Sequence, residues 1–307
     1  MKIMRPRLLP LAAMVFVTLA GAAGEPAGRT PASAPADARS GDRTRVADTF
    51  YRKGDFAKAA RELQWEVQGA ERAGKAPGED RLLLLKDCYA HLNDGNALAW
   101  SLEKLVTWYP KRAYWGELLD RTQDRPDFGQ PLALDVNRLR FLTGSLHGAA
   151  DYVTLATQAR QAGFPAEALR VLDRGLAERI LGTGPEAAQH RELRRQLATE
   201  AAQQAALLAQ PAAERAALQS KDGDELVRLG FAFVTQGQAP KGLALIEQGL
   251  QRPMLDKRPQ YARLHLGIAC VQAGQRAQAI AVFANVGGRH GAADLARLWG
   301  IHVRNAS

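Results

Sequence analysis

Two stretches of this 307-residue chain carry the same pattern. Residues 226–250 read LVRLGFAFVTQGQAPKGLALIEQGL, and residues 263–287 read RLHLGIACVQAGQRAQAIAVFANVG. Gly230 lies over Gly267, Gly237 over Gly274, Gly242 over Ala279 and Ile246 over Phe283, always 37 residues apart. A fixed period of that size marks one supersecondary unit used again. Such a unit cannot bury its apolar face alone and stacks on its neighbour.

Each copy reads as two helices. Leu226, Leu229, Gly230 and Phe233 fall at i, i+3, i+4 and i+7, one stripe of an α-helix. Gly237 ends that helix, because glycine accepts the left-handed turn beyond a helix end. Pro240 opens the next, where its missing N–H costs nothing. Gly242, Ile246 and Gly249 make the facing stripe. A glycine inside a helix costs roughly 1 kcal/mol against alanine. Gly230, Gly242, Gly249 and Gly267 therefore predict close contact between helix backbones, with Phe233, Ile246 and Phe283 filling the space around it.

These residues resemble the tetratricopeptide repeat: a Leu-Gly pair, an aromatic three residues on, a turn, a small residue, then a Phe-like residue four further. Here the positions are Leu229-Gly230, Phe233, Gly242 and Ile246, then Leu266-Gly267, Cys270, Ala279 and Phe283. The family's leading Trp is replaced by Leu226 and Arg263, and Cys270 stands for the usual aromatic. The resemblance implies an all-α, right-handed superhelical solenoid over 44–303, with its clearest repeats at 224–251 and 260–287.

Upstream, residues 1–23 read as an export signal: basic Lys2, Arg5 and Arg7, an apolar run over 8–19, then small residues Ala20, Gly21 and Ala22. That run is short of the ~20 apolar residues that span a bilayer. Residues 24–43, rich in Ala, Pro, Gly and Ser, read as a flexible leader. Helix pairs follow at 45–69 with a turn at Gly54, at 82–110, irregularly at 114–144 around Arg125-Pro126-Asp127, and at 152–176 with a turn at Gly163. Gly163 and Gly237 are 74 residues apart, twice the period, which predicts a hidden pair in the Ala-rich segment 185–220. Residues 292–303 are expected to close the open end of the stack. About seven units result, each touching only its neighbours.

A looser resemblance covers most of the chain past the signal. YPKRAYWGELL, LRFLTGSL, ADYVTLATQARQAGFPAEALRVLDRGL and the Asp222-Gly223 before a Leu-Gly repeat are similar to periplasmic tetratricopeptide proteins that accompany TonB and its ExbB/ExbD motor proteins. Trp115, Leu118, Tyr152, Leu155, Gly163, Pro165, Ala168 and Leu172 are the matching positions. This resemblance implies a periplasmic adaptor of a Gram-negative bacterium.

Net charge is +9, or +6 without Lys2, Arg5 and Arg7. Such a surface attracts polyanions; with an export signal, anionic lipid, acidic protein segments or cell-wall carboxylates are better candidates than nucleic acid. Arg191, Arg194 and Arg195 share a helix face. Cys88 and Cys270 sit in distant repeats and are expected to stay unpaired as small packing residues.

No catalytic constellation is expected, and no metal or cofactor. Gly144-Ser145-Leu146-His147-Gly148 has no strand before it and fails as a nucleophile elbow; Ser145 is expected to cap the next helix. The six histidines never pair at i, i+4. Asp222-Gly223-Asp224 is too short for a calcium loop and reads as a turn with a helix cap. What remains is a surface. In a tetratricopeptide stack the first helix of each pair lines the groove. The candidate groove residues are Val227, Phe231, Val234, Thr235, Leu264, Ile268, Val271 and Gln272, with Tyr51, Arg52, Arg160 and Gln161 upstream. Apolar residues there suit a peptide or helix from an envelope protein. A cell-wall factor that binds peptidoglycan or regulates its enzymes, and a chaperone for exported proteins, are the alternatives.

Overall fold

The structure is a computed structural model describing residues 45–254, 258–288 and 290–306. The expected export signal and leader lie outside the described residues. Among the described residues the regular elements are all helical, and no strand occurs. Helix α1 covers 45–52. Then come α2 Phe56–Arg72, α3 Glu79–His91, α4 Gly95–Trp108, α5 Arg112–Gln123, a 3-10 turn Gln130–Leu132, α6 Ala133–Thr143, α7 Ala149–Gln161 and α8 Pro165–Ala177. The chain continues with α9 Ala187–Leu208, α10 Pro211–Gln219, α11 Gly223–Thr235, α12 Ala239–Leu250, α13 Pro259–Gln272, α14 Arg276–Ala284 and α15 Ala292–Asn305.

One kind of turn joins five of the helix pairs. Gly54, Asn93, Gly163, Gly237 and Gly274 all take a left-handed conformation, with φ of 74°, 54°, 87°, 82° and 73°. In each case the next amide reaches back five residues: Asp55 to Phe50, Asp94 to Tyr89, Phe164 to Ala159, Gln238 to Phe233 and Gln275 to Cys270, at 2.8–3.0 Å. This is the Schellman closure, and it folds α1 on α2, α3 on α4, α7 on α8, α11 on α12 and α13 on α14. At Asn93 asparagine takes the role that glycine has elsewhere, which is why that turn shows less plainly in the sequence. The segment 185–220 does form a helix pair, the 22-residue α9 and the 9-residue α10. It turns at Ala209-Gln210 without a left-handed residue.

The glycine contact forms as expected between α11 and α12. A Cβ on Gly230 would collide with the Gly242 carbonyl oxygen, and one on Gly242 with the Gly230 carbonyl oxygen. Gly249 stands the same way over Gly223, whose carbonyl oxygen is 2.7 Å from where its Cβ would be. Gly267 differs: there the Phe283 ring, not a backbone, occupies the space. Asp222 caps α11, its carboxylate accepting from the Asp224 amide at 3.0 Å. Ser145 caps nothing. It is buried with its Oγ 3.0 Å from the Thr143 Oγ1. The entry to α7 is held by Asp151, which accepts from the His147 amide at 2.7 Å.

Successive helices pack along the chain from α2 to α15, but contact is not confined to neighbours: α15 also packs on α4 and α6. Asn305 Nδ2 donates to the carbonyls of Val106 and Thr107 at 2.8 and 3.1 Å. Arg297 pairs with Glu103, and Arg125 with Asp294. His302 lies edge-on to Trp115 with centroids 6.2 Å apart, and to Trp299 at 6.4 Å. The closing helix therefore does not cover an open end; it returns to the N-terminal half. One apolar core runs from Ala47 to Val303, and a smaller one joins α7, α8 and α9 around Leu155, Leu172 and Leu197. The physical reason is α15 itself. It buries Ala292, Leu295, Ala296, Leu298, Trp299, Ile301 and Val303, more than one stripe, so α13 and α14 alone cannot cover it.

Candidate functional site

Three helices far apart in the chain meet on one buried ionic cluster. Helix α6 supplies Asp135 and Arg138, one turn apart; α8 supplies Glu167; α13 supplies His265 and Gln272. Arg138 donates to both Glu167 oxygens, at 2.8 and 2.6 Å, and to Asp135 Oδ1 at 2.7 Å. His265 Nε2 lies 3.0 Å from Asp135 Oδ2, and Gln272 donates to Glu167 Oε1 at 3.3 Å. Asp135, Arg138 and Glu167 are 1%, 4% and 6% exposed, so this charge is held by the protein and not by water. Burial opposes the Arg138 charge, but Glu167 and Asp135 outweigh it and push its pKa up. Burial likewise works against the Asp135 carboxylate, but His265 and Arg138 overcome it and hold its pKa below the ordinary value.

Aromatic rings close the other side of the guanidinium. Phe231 on α11 has its centroid 4.5 Å from the Arg138 guanidinium carbon, and Phe164, at the head of α8, is at 5.4 Å. The two rings lie 4.8 Å apart, and Phe231 meets His265 edge-on at 5.9 Å. Beyond them opens a cleft of about 1120 Å³, walled by Phe164, Phe231, Tyr261 and His265 and rimmed by Arg228, Arg258, Asp222 and Asp224. A second, smaller cavity lies between α6 and α8.

The candidate groove residues do not form one open stripe. Val227, Phe231, Val234, Thr235, Leu264 and Ile268 are all buried. Val227 and Val234 face α12: a Cβ on Gly249 would meet the Val227 side chain at 2.9 Å, and one on Gly242 the Val234 side chain at 2.6 Å. Phe231 turns to Arg138, and the Thr235 carbonyl accepts from Arg170. Val271 is half-buried against the core, and Gln272 is exposed with its amide on Glu167. Upstream, Tyr51 donates to Asp87, Arg52 is exposed and bonded to the Asp48 carbonyl, Arg160 pairs with Glu200, and Gln161 is exposed. Of the candidates, Val227 and Phe231 line the cleft. Of the rest, Val234 is covered by its own partner helix α12, while Arg52, Arg160, Gln161 and Gln272 stay exposed at separate places.

Asp135, Arg138, Glu167, Tyr261 and His265 were not singled out from sequence. A signal existed for two of them: Asp135 and Arg138 interrupt an apolar run with Val136 and Leu139, a spacing that pairs charges on one helix face. Nothing local announces that Glu167 and His265 join them. Arg191, Arg194 and Arg195 form no unpaired basic patch: they hold the Gly182 carbonyl, Asp173 and Glu192. Cys88 and Cys270 are buried, free thiols, which burial pushes up to about 11. Among the described residues no cluster of His, Cys, Asp and Glu could hold a metal ion, and no helix is long and apolar enough to cross a membrane.

No family model matches the chain, and no curated protein matches it. Among solved structures it is similar to "Assembly Chaperone of RpL4 (Acl4) (Residues 1-338)", with 14% identity, 86% of this chain and 95% of that chain covered, and a TM-score of 0.25. At that score the likeness carries no argument about shape or role.

Proposed function

We propose that this chain is a non-enzymatic tetratricopeptide-type scaffold, exported to the periplasm, that holds a segment of an envelope protein in the cleft between α11 and α13. The cleft carries this reading: Tyr261 and Phe231 stand beside Arg228 and Arg258 at its wall and rim. Tyr, Phe and Arg are the residues enriched where proteins bind one another. The repeat pattern and its five Schellman turns support the solenoid. The basic start and apolar run of residues 1–23 support export. The looser resemblance of Trp115, Tyr152, Gly163 and Pro165 to TonB-associated proteins makes the periplasmic part of a TonB-type system the first partner to try.

The test is co-purification from an envelope extract with the wild-type chain and with Arg228→Glu and Tyr261→Ala. A partner lost in both variants, and retained in a control such as Arg52→Glu, supports the cleft. Identical partner sets in all four retire it. Sedimentation with purified peptidoglycan, unaffected by the cleft variants, would favour the cell-wall alternative instead.

A further inference from the structure

Two residues that line the smaller cavity carry donors the fold leaves underused. The cavity's empty space, open solvent at the mouth included, is about 480 Å³, and it is walled by Phe141, Leu142, Leu155 and Val171, with Glu167, Arg170 and Trp299 among its remaining lining residues. Trp299 is 1% exposed, and its indole N–H has no acceptor among the described residues. Buried donors are nearly always partnered. Arg170 donates to the Thr235 carbonyl, but no carboxylate lies in ion-pair contact with it among the described residues. Burial lowers its pKa, and the nearby Glu167 offsets that only in part. Glu167 acts on Arg170 only through space, because Arg138 and Gln272 already hold its oxygens. At the cavity's edge Leu142 is 39% exposed, an apolar surface facing water.

A cation with no carboxylate in direct contact, an indole N–H without an acceptor and an apolar chamber with an apolar rim describe one class of guest. We infer that the cavity between α6 and α8 binds a small aliphatic carboxylate, its carboxylate on Arg170 and its hydrocarbon against Phe141, Leu142, Leu155 and Val171. This site is separate from the cleft at Tyr261 and stands whether or not a protein segment binds there.

Sodium octanoate is the probe, titrated into the full chain and followed by calorimetry and by the indole N–H signal of Trp299, which is assigned with Trp299→Phe. Saturable binding that shifts this signal is expected. Losing a hydrogen-bonded charge makes octanamide and the Arg170→Gln variant each about tenfold weaker. Leu142→Ala, an exposed position that leaves folding intact, weakens octanoate and leaves acetate unchanged. Melting curves confirm that each variant is folded. The inference is overturned by any of three results: no saturation up to about 10 mM octanoate, a range beyond which affinity is negligible; equal binding of octanoate and octanamide; or undiminished binding by folded Arg170→Gln. Tighter binding of N-acetylleucine than of octanoate also overturns it, since the site would then be built for a peptide terminus. An indole signal insensitive to every ligand points to a bound water and does the same.

Discussion

Gly230→Ala sets two physical terms against each other in one residue. In an exposed helix interior the change stabilises by about 1 kcal/mol, because alanine has the better helix propensity. At Gly230 the new Cβ would run into the Gly242 carbonyl oxygen and come within 2.7 Å of Ile246 Cγ1 and 2.9 Å of the Ile246 amide nitrogen. Two of those three atoms are backbone, so no rotamer change relieves the clash. Prising α11 from α12 would also disturb Gly249 over Gly223, since both contacts belong to the same helix pair. Overpacking a well-packed core costs about 1–3 kcal/mol, and backbone partners place this case at the upper end. Set against the propensity gain, the net expectation is a loss of about 2 kcal/mol. Gly69→Ala is the internal control. Gly69 lies in α2 with no atom within 4 Å of its would-be Cβ, so the same change there should stabilise by about 0.5–1 kcal/mol. Urea unfolding of the full chain measures both, reading midpoint shifts at unchanged slope. A Gly230→Ala midpoint equal to or above wild type would refute the backbone contact.

Three other perturbations address the closure of the fold. Arg138→Met leaves Asp135 and Glu167 buried without their cation and should cost about 3–5 kcal/mol; replacing all three by apolar residues should recover much of that in the same urea assay. Burial lowers the His302 pKa between Trp115 and Trp299. The unfolded chain therefore takes up this proton first, and stability should fall as pH drops below about 6.5; melting temperatures from pH 8 to 5 should show that slope in wild type and lose it in His302→Leu. Truncation after residue 288 should expose α4 to α6 to protease as well as α13 and α14, because Trp115 and the Val106 carbonyl face α15. Cleavage confined to the last repeat would contradict the contact between the two ends.

Local chemistry made much of the fold legible. The 37-residue offset located α11 to α14, and Gly54, Gly163 and Gly237 marked real left-handed turns. These features act within one helix pair, so residues close in sequence specify them. The turn at Asn93 and the one at Ala209 were harder to see, because no glycine is needed when asparagine takes the left-handed conformation or when the turn does without it.

The surface was a different matter. Periodicity sets Val227, Phe231, Val234, Thr235, Leu264, Ile268, Val271 and Gln272 on a groove-lining stripe, and the structure buries all of them but Val271 and Gln272. Val227 and Val234 show its limit, since on α11 both turn inward against Gly249 and Gly242. Local pattern was enough to specify the helices, their pairing and the glycine-to-glycine contact of α11 with α12. Long-range packing alone brings α15 back to α4, sets α6 and α8 against α11 and α13, and gathers Asp135, Arg138, Glu167 and His265 into one buried cluster. A hydrophobic period states which face of a helix must leave water. It carries no information about which of many distant faces will cover it, because that depends on the curvature accumulated over every pair in between.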